Sequence, residues 1–125
     1  MTTTISGSNG IVFPDATSMQ TGQQAVKAWV NFNGEGTVAI RAGYNVGSIT
    51  DNGTGDYTVN FTTAMVDVNY TPVMSGGHGA SQNHYLYPCV SNVSAPTTSS
   101  FRIYSAWPFS PWQGDSKYVT VAILR

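Results

Sequence analysis

Apolar and polar positions alternate most regularly between Asp56 and Thr62, where Tyr57, Val59 and Phe61 are separated by Thr58 and Asn60. A period of two predicts a strand with one buried and one solvated face. Just before it, Asp51-Asn52-Gly53-Thr54-Gly55 offers glycines for the positive-φ positions of a tight turn, and Val46, Ile49 and Thr50 lead into that turn. Residues 49–62 are therefore expected to form a β-hairpin around which the rest of the chain is arranged.

The same reading extends in both directions. Trp29, Val30 and Phe32 predict a strand that stops at Asn33-Gly34-Glu35-Gly36, and residues 37–41 predict a second with Val38 and Ile40 on one face. Residues 65–69 read as a connection and residues 70–74 as a strand that Pro72 places at a sheet edge or at its own beginning. A Gly-rich loop over residues 75–84 opens into a strand at 85–90, and a polar break separates that from a strand at 101–105. After an aromatic loop, residues 118–124 are apolar on both faces, which predicts a strand that is central or covered on both sides. Seven or eight short strands with turn signals between them point to an all-β, antiparallel β-sandwich, jelly-roll-like or lectin-like. Only residues 19–27 offer a helical turn or two, and Gly22 weakens it.

Residues 1–27 break the pattern. A polar, Gly-punctuated lead is followed by Ile11, Val12 and Phe13, which Pro14-Asp15 stops. One apolar triplet cannot build a core. Residues 1–27 are therefore read as an arm for tethering or assembly, with Ile11, Val12 and Phe13 as its contacts, and residues 28–125 as the head domain. The plainer alternative is a terminus with one docked strand.

Composition narrows the picture. Charged residues make up 9% of the 125, against about 25% in ordinary globular proteins, while 15 Thr, 13 Ser, 13 Gly and 9 Asn fill their places. That mixture suits strands and turns. The net charge is -1 and the five cations are scattered, so no stripe is present to neutralise a phosphate backbone and nucleic-acid binding is not expected. Nor is membrane insertion, since no apolar run approaches the roughly 20 residues of a spanning helix. The start of the chain lacks the charged and apolar regions of a signal peptide, so no secretory route is expected and the four Asn-x-Ser/Thr sequons carry no weight. Cys89 has no intrachain partner and, within an apolar run, is expected to be a buried free thiol.

Catalytic chemistry is hard to assemble from these residues. Glu35 sits between glycines, and Asp51, Asp56, Asp67 and Asp115 lie in turn-rich sequence where Asp bonds its own backbone. No nucleophile elbow, phosphate loop or metalloprotease motif occurs. His78 and His84 bracket one loop and are too few for a closed site in one chain, although one from each chain of a trimer could meet on the axis. No enzyme, metal or cofactor is expected. Trp107, Phe109 and Trp112, with two prolines among them, form a rigid aromatic loop that either contacts a receptor or sugar ring, caps the core, or packs between subunits. Tyr85 and Tyr87 carry the same ambiguity.

The runs Trp29-Val30-Asn31-Phe32-Asn33-Gly34 and Thr37-Val38-Ala39-Ile40-Arg41, then residues 45–65 (NVGSITDNGTGDYTVNFTTAM) closing on Asn69-Tyr70, are long and idiosyncratic. Together with Ile5-Ser6-Gly7 and residues 10–15 upstream, they resemble a segment common in tail-fibre and other virion-associated structural proteins of tailed bacteriophages, particularly of marine bacteria and cyanobacteria. Glu35 stands where Thr is usual and Val66 where Pro is usual. The resemblance covers roughly the first 70 residues and stops before the loops that follow Ser75. It implies a non-enzymatic virion protein assembled in the host cytoplasm: a homotrimeric fibre, a receptor-binding tip, or a head decoration or head fibre. It would join other virion proteins through its arm and meet a host cell-surface glycan through its loops. The competing reading is a lectin-like carbohydrate-binding module that uses the Trp107 to Trp112 loop.

Overall fold

Every regular element among the described residues is a strand. The computed structural model describes residues 2–7, 10–15, 18–19, 26–77, 87–106 and 113–125, with backbone alone at Ser6, Ser18 and Met19. Three short strands come first: β1 (Thr4–Ser6), β2 (Gly10–Val12) and β3 (Ser18–Met19). Eight more follow: β4 (Val26–Asn33), β5 (Ala39–Tyr44), β6 (Val46–Gly53), β7 (Asp56–Phe61), β8 (Thr71–Gly76), β9 (Tyr87–Val90), β10 (Ser100–Ala106) and β11 (Val119–Leu124). These eight make two four-stranded antiparallel sheets, in the orders β6-β7-β10-β9 and β5-β4-β11-β8.

The period-two pattern of β7 decides which side faces in. Tyr57, Val59 and Phe61 point inward from one sheet, as do Phe101 and Ile103 of β10. They meet Ala28, Val30 and Phe32 of β4 and Val119, Val121 and Ile123 of β11 from the other sheet. The rings of Phe32 and Tyr57 meet edge-on across the gap at 5.3 Å. At the other end of the core, Phe61, Tyr70 and Phe101 form an aromatic trio with centroids 5.6 to 6.0 Å apart.

Each sequential pair inside a sheet is a hairpin, and four connections cross between sheets. The tightest crossing is Asn45, which alone joins β5 to β6 and adopts φ 55, a left-handed conformation that Asn tolerates better than most residues. Its amide donates to the carbonyls of Lys27 and Thr63, and its side-chain oxygen accepts from the Thr63 N–H. One side chain thus ties the two sheets together.

Several expectations change. The second strand begins at Ala39 and reaches Tyr44, two residues later than the pattern suggested at its start. The Asn33 amide bonds the carbonyls of Glu35 and Thr37, holding that stretch as a loop, and Asn45 sets the strand's end. Residues 18–19 and 26–27 are in strands, so the helical turn expected over 19–27 is not formed there; residues 20–25 lie outside the described set. The N-terminal segment is a small antiparallel sheet, β1-β2-β3, that pairs with no strand of the sandwich among the described residues. Ile11 and Val12 are in β2 and Phe13 follows it. Cys89 is exposed, which overturns the buried thiol. It lies on the outer side of edge strand β9, opposite Tyr104, so its apolar sequence neighbours do not cover it. Pro72 does sit in an edge strand, β8, and β11 is central, between β4 and β8.

The two outer faces of the sandwich differ. On the β6-β7-β10-β9 sheet, Asn60 bonds the hydroxyls of Ser48 and Thr50, Asn52 bonds Thr58, and Arg102 grips Asp56 through two nitrogens. Outward side chains there satisfy one another and face water without loss. The other sheet presents Tyr44, Trp29, Ala122 and Val73 as a single row across all four strands.

Two buried phenols bear on alkaline stability. Burial pushes Tyr70 up to about 12 from an ordinary 10. Burial, aided by the Asp115 carboxylate, raises Tyr57 further. An unfolded chain ionises these phenols near pH 10 while the folded chain keeps both protons, so this stability is complete below pH 10 and lost as pH rises through the folded values. An alkaline titration followed by tyrosinate absorbance should show Tyr57 and Tyr70 ionising late, together with loss of β-sheet circular dichroism. Titration of every tyrosine near pH 10 in the folded protein would contradict this.

Candidate functional site

The sandwich has two ends, and the chain puts different things at each. One end is built around three glycines. The Gly34 N–H donates to the Ser116 carbonyl at 2.9 Å, and the Tyr57 hydroxyl lies 2.8 Å from the Gly34 carbonyl and 2.9 Å from Asp115 Oδ1. The same carboxylate oxygen accepts the Gly55 N–H at 2.7 Å. Gly77 bonds the buried Ser116 hydroxyl and the Tyr118 carbonyl. The turn at residues 54–55 is thereby stitched to residues 113–118 and to the end of β8.

This platform anchors the segments singled out from the sequence. Residues 78–86 run between Gly77 and Tyr87, and residues 107–112 between Ala106 and Gln113. Ala106 pairs with Tyr87 on one side and bridges to Gln113 on the other. The flanking residues of both segments therefore converge on one end of the fold. His78, His84, Tyr85, Trp107, Phe109 and Trp112 themselves lie outside the described residues. Tyr87 is described and more than half exposed, at 56%.

The opposite end holds the start of β4, where Val26 pairs with Leu124, and a recess of about 600 Å³. Its walls include Lys27, Tyr44, Asn45, Met65, Val66 and Arg125. The Arg125 guanidinium is held by Asp67, whose carboxyl this contact pulls below its ordinary value. Sequence reasoning missed this recess because its walls come from β4, the β5–β6 junction, the β7–β8 connection and Arg125, which share no motif.

The carboxylates are committed to structure. Asp51 accepts the Gly53 N–H and Asp67 the Asn69 N–H, the short-range bonds expected of turn aspartates. Asp56 is buried against Arg102, and Asp115 holds Tyr57 and Gly55. Among the described residues no three His, Cys, Asp or Glu side chains gather as a metal site. No protein-family model, curated protein or solved structure matches the chain.

Proposed function

We propose that the chain is a non-enzymatic structural protein of a tailed-bacteriophage particle, a homotrimeric fibre, receptor-binding tip or head decoration. In this reading residues 1–25 attach it and the far end of the sandwich meets the host surface. The observation that carries the reading is the opposition of the two ends. The N-terminal segment joins at Val26, while both segments that fall outside the phage-like stretch begin and end on the Gly34–Gly55–Gly77 platform. Eight residues of β4 separate these ends, about 25 Å of extended chain. An attachment protein needs its tether and its contact surface apart, and this arrangement provides that.

The commitment of Asp51, Asp56, Asp67 and Asp115 to backbone, phenol and guanidinium partners supports a non-enzymatic role, since a glycosidase needs a carboxylate pair free to act on substrate. Exposed Tyr87, at the root of both segments, favours a carbohydrate as the contact and is also what a free lectin-like module would use.

Native mass measurement at micromolar concentration should return three copies. Removing residues 1–25, which leaves β4 whole, should give a folded head that no longer joins the particle. A monomeric full-length chain, or a truncated chain that still incorporates, would overturn the reading.

A further inference from the structure

The outer face of the β5-β4-β11-β8 sheet is unlike a surface made for water. Tyr44, Trp29 and Val73 are 59%, 42% and 54% exposed, and with Ala122 they form one cross-strand row. The adjacent row is Ala42, Asn31, Thr120 and Ser75, small or neutral throughout. On the other side lie Leu124, Val26 and Thr71, all three exposed. No residue in these three rows is charged. Arg41, on the same face, bonds Asn31 and Asn33 and lies over the Tyr118 ring, which puts this cation at the Asn33 end, away from Trp29 and Tyr44. On the opposite sheet, β6 and β7 cover their outer side with bonded Ser, Thr and Asn, and exposed Tyr87 and Cys89 are confined to the β9 edge.

The Tyr44 end of the row runs directly into the recess beside Lys27. Just upstream, the small N-terminal sheet exposes Ile5, Ile11 and Phe13 and pairs with no strand of the sandwich among the described residues. Among the described residues, each copy therefore carries an exposed apolar face and an exposed apolar segment that no strand pairing joins. Residues 1–26 contain no Lys or Arg, so Ile5, Ile11 and Phe13 would bring no neighbouring Lys or Arg to Lys27 and Arg125.

Area decides what kind of occupant fits. Four strands about 4.8 Å apart and six residues about 3.3 Å each give a plan area of about 380 Å². A stable protein contact buries about 800 Å² on each partner. The sheet face alone supplies about half, and the recess with the N-terminal sheet must supply the rest. We propose that the outer face of β5-β4-β11-β8 and its adjoining recess seat a second copy of this chain, with Ile5, Ile11 and Phe13 of that copy entering the recess. This deepens the reading of the chain as a self-assembling particle component and names the surface through which it assembles.

The test uses the full chain. Trp29→Lys and Val73→Lys place a charge on the exposed side of the sheet, Phe13→Asp alters the entering segment, and Thr50→Lys is the control on the opposite face. Sedimentation and native mass should show Trp29→Lys and Phe13→Asp weakening self-association by about 100-fold or more, the scale of an interface hot spot, with Thr50→Lys unchanged. Circular dichroism and melting confirm that each variant is folded, and Val73→Lys supplies the second reading of the face should Trp29→Lys fail to fold. If the parent chain self-associates but the face variants do so equally well, this assignment fails and the particle reading survives. If the parent is monomeric at tens of micromolar, both fail.

Discussion

Gly55→Ala should destabilise the protein by about 3–5 kcal/mol, as the sum of left-handed backbone strain and overpacking. Gly55 has φ 66, and a β-carbon there would lie 2.7 Å from both the Gly114 nitrogen and the Ser105 carbonyl oxygen. Those atoms are backbone, held by the Ser105 N–H to Gly55 and Gly114 N–H to Ser105 bonds, so neither can swing aside. The comparison is Gly36→Ala. Gly36 has a similar φ of 60, but nothing lies within 4 Å of an added β-carbon. It should lose only the strain, about 1–2 kcal/mol. Urea unfolding of the two variants measures the difference directly. Equal losses would mean that the platform yields easily and does not fix the segments it anchors.

Phe101→Ala should cost about 3–5 kcal/mol, the range for removing a large buried aromatic. Phe101 is fully buried, stacks 28° from parallel on Phe61 and takes the edge of Tyr70. Tyr70 is held away from the void, because its hydroxyl is fixed to the carbonyls of Thr97 and Ser100. Val93→Ala is the counterweight. Val93 is 68% exposed and should change stability by less than about 0.5 kcal/mol. A small effect at Phe101 would argue that the trio is loosely packed.

Strand pattern was the most legible property. Tyr57, Val59 and Phe61 alternate with polar residues and do face the core, and Asp51 to Gly55 does turn the chain back on itself. Pro72 marked its edge strand through its missing N–H. What the sequence hid were relations between distant residues. Cys89 sits among apolar neighbours yet faces out, because exposure on an edge strand depends on which side of the sheet it occupies. The Tyr44–Trp29–Ala122–Val73 row joins four strands through register, which no local window contains. One trace of it was visible: residues 118–124 are apolar on both faces, and Leu124 and Ala122 are the outward half of that signal. Tyr57 was legible as core but not as the partner of Asp115, 58 positions away. The three-stranded N-terminal sheet was not legible, since its strands are two or three residues long.

β11 pairs on one side with β4 and on the other with β8. Three of its residues, Val119, Val121 and Ile123, supply one wall of the core, and Asp115 and Ser116 just before it close the platform. On a ribosome, then, the first strand of the sandwich waits for the last. Until residues 119–124 emerge, β4 has no partner on that side and β8 has none at all, so the sandwich cannot complete vectorially from its N-terminus. Completion requires the final strand to pair with both of these edges. A nascent chain stalled short of it would display open strand edges to its neighbours, making the tail of this sequence the step that separates assembly from aggregation.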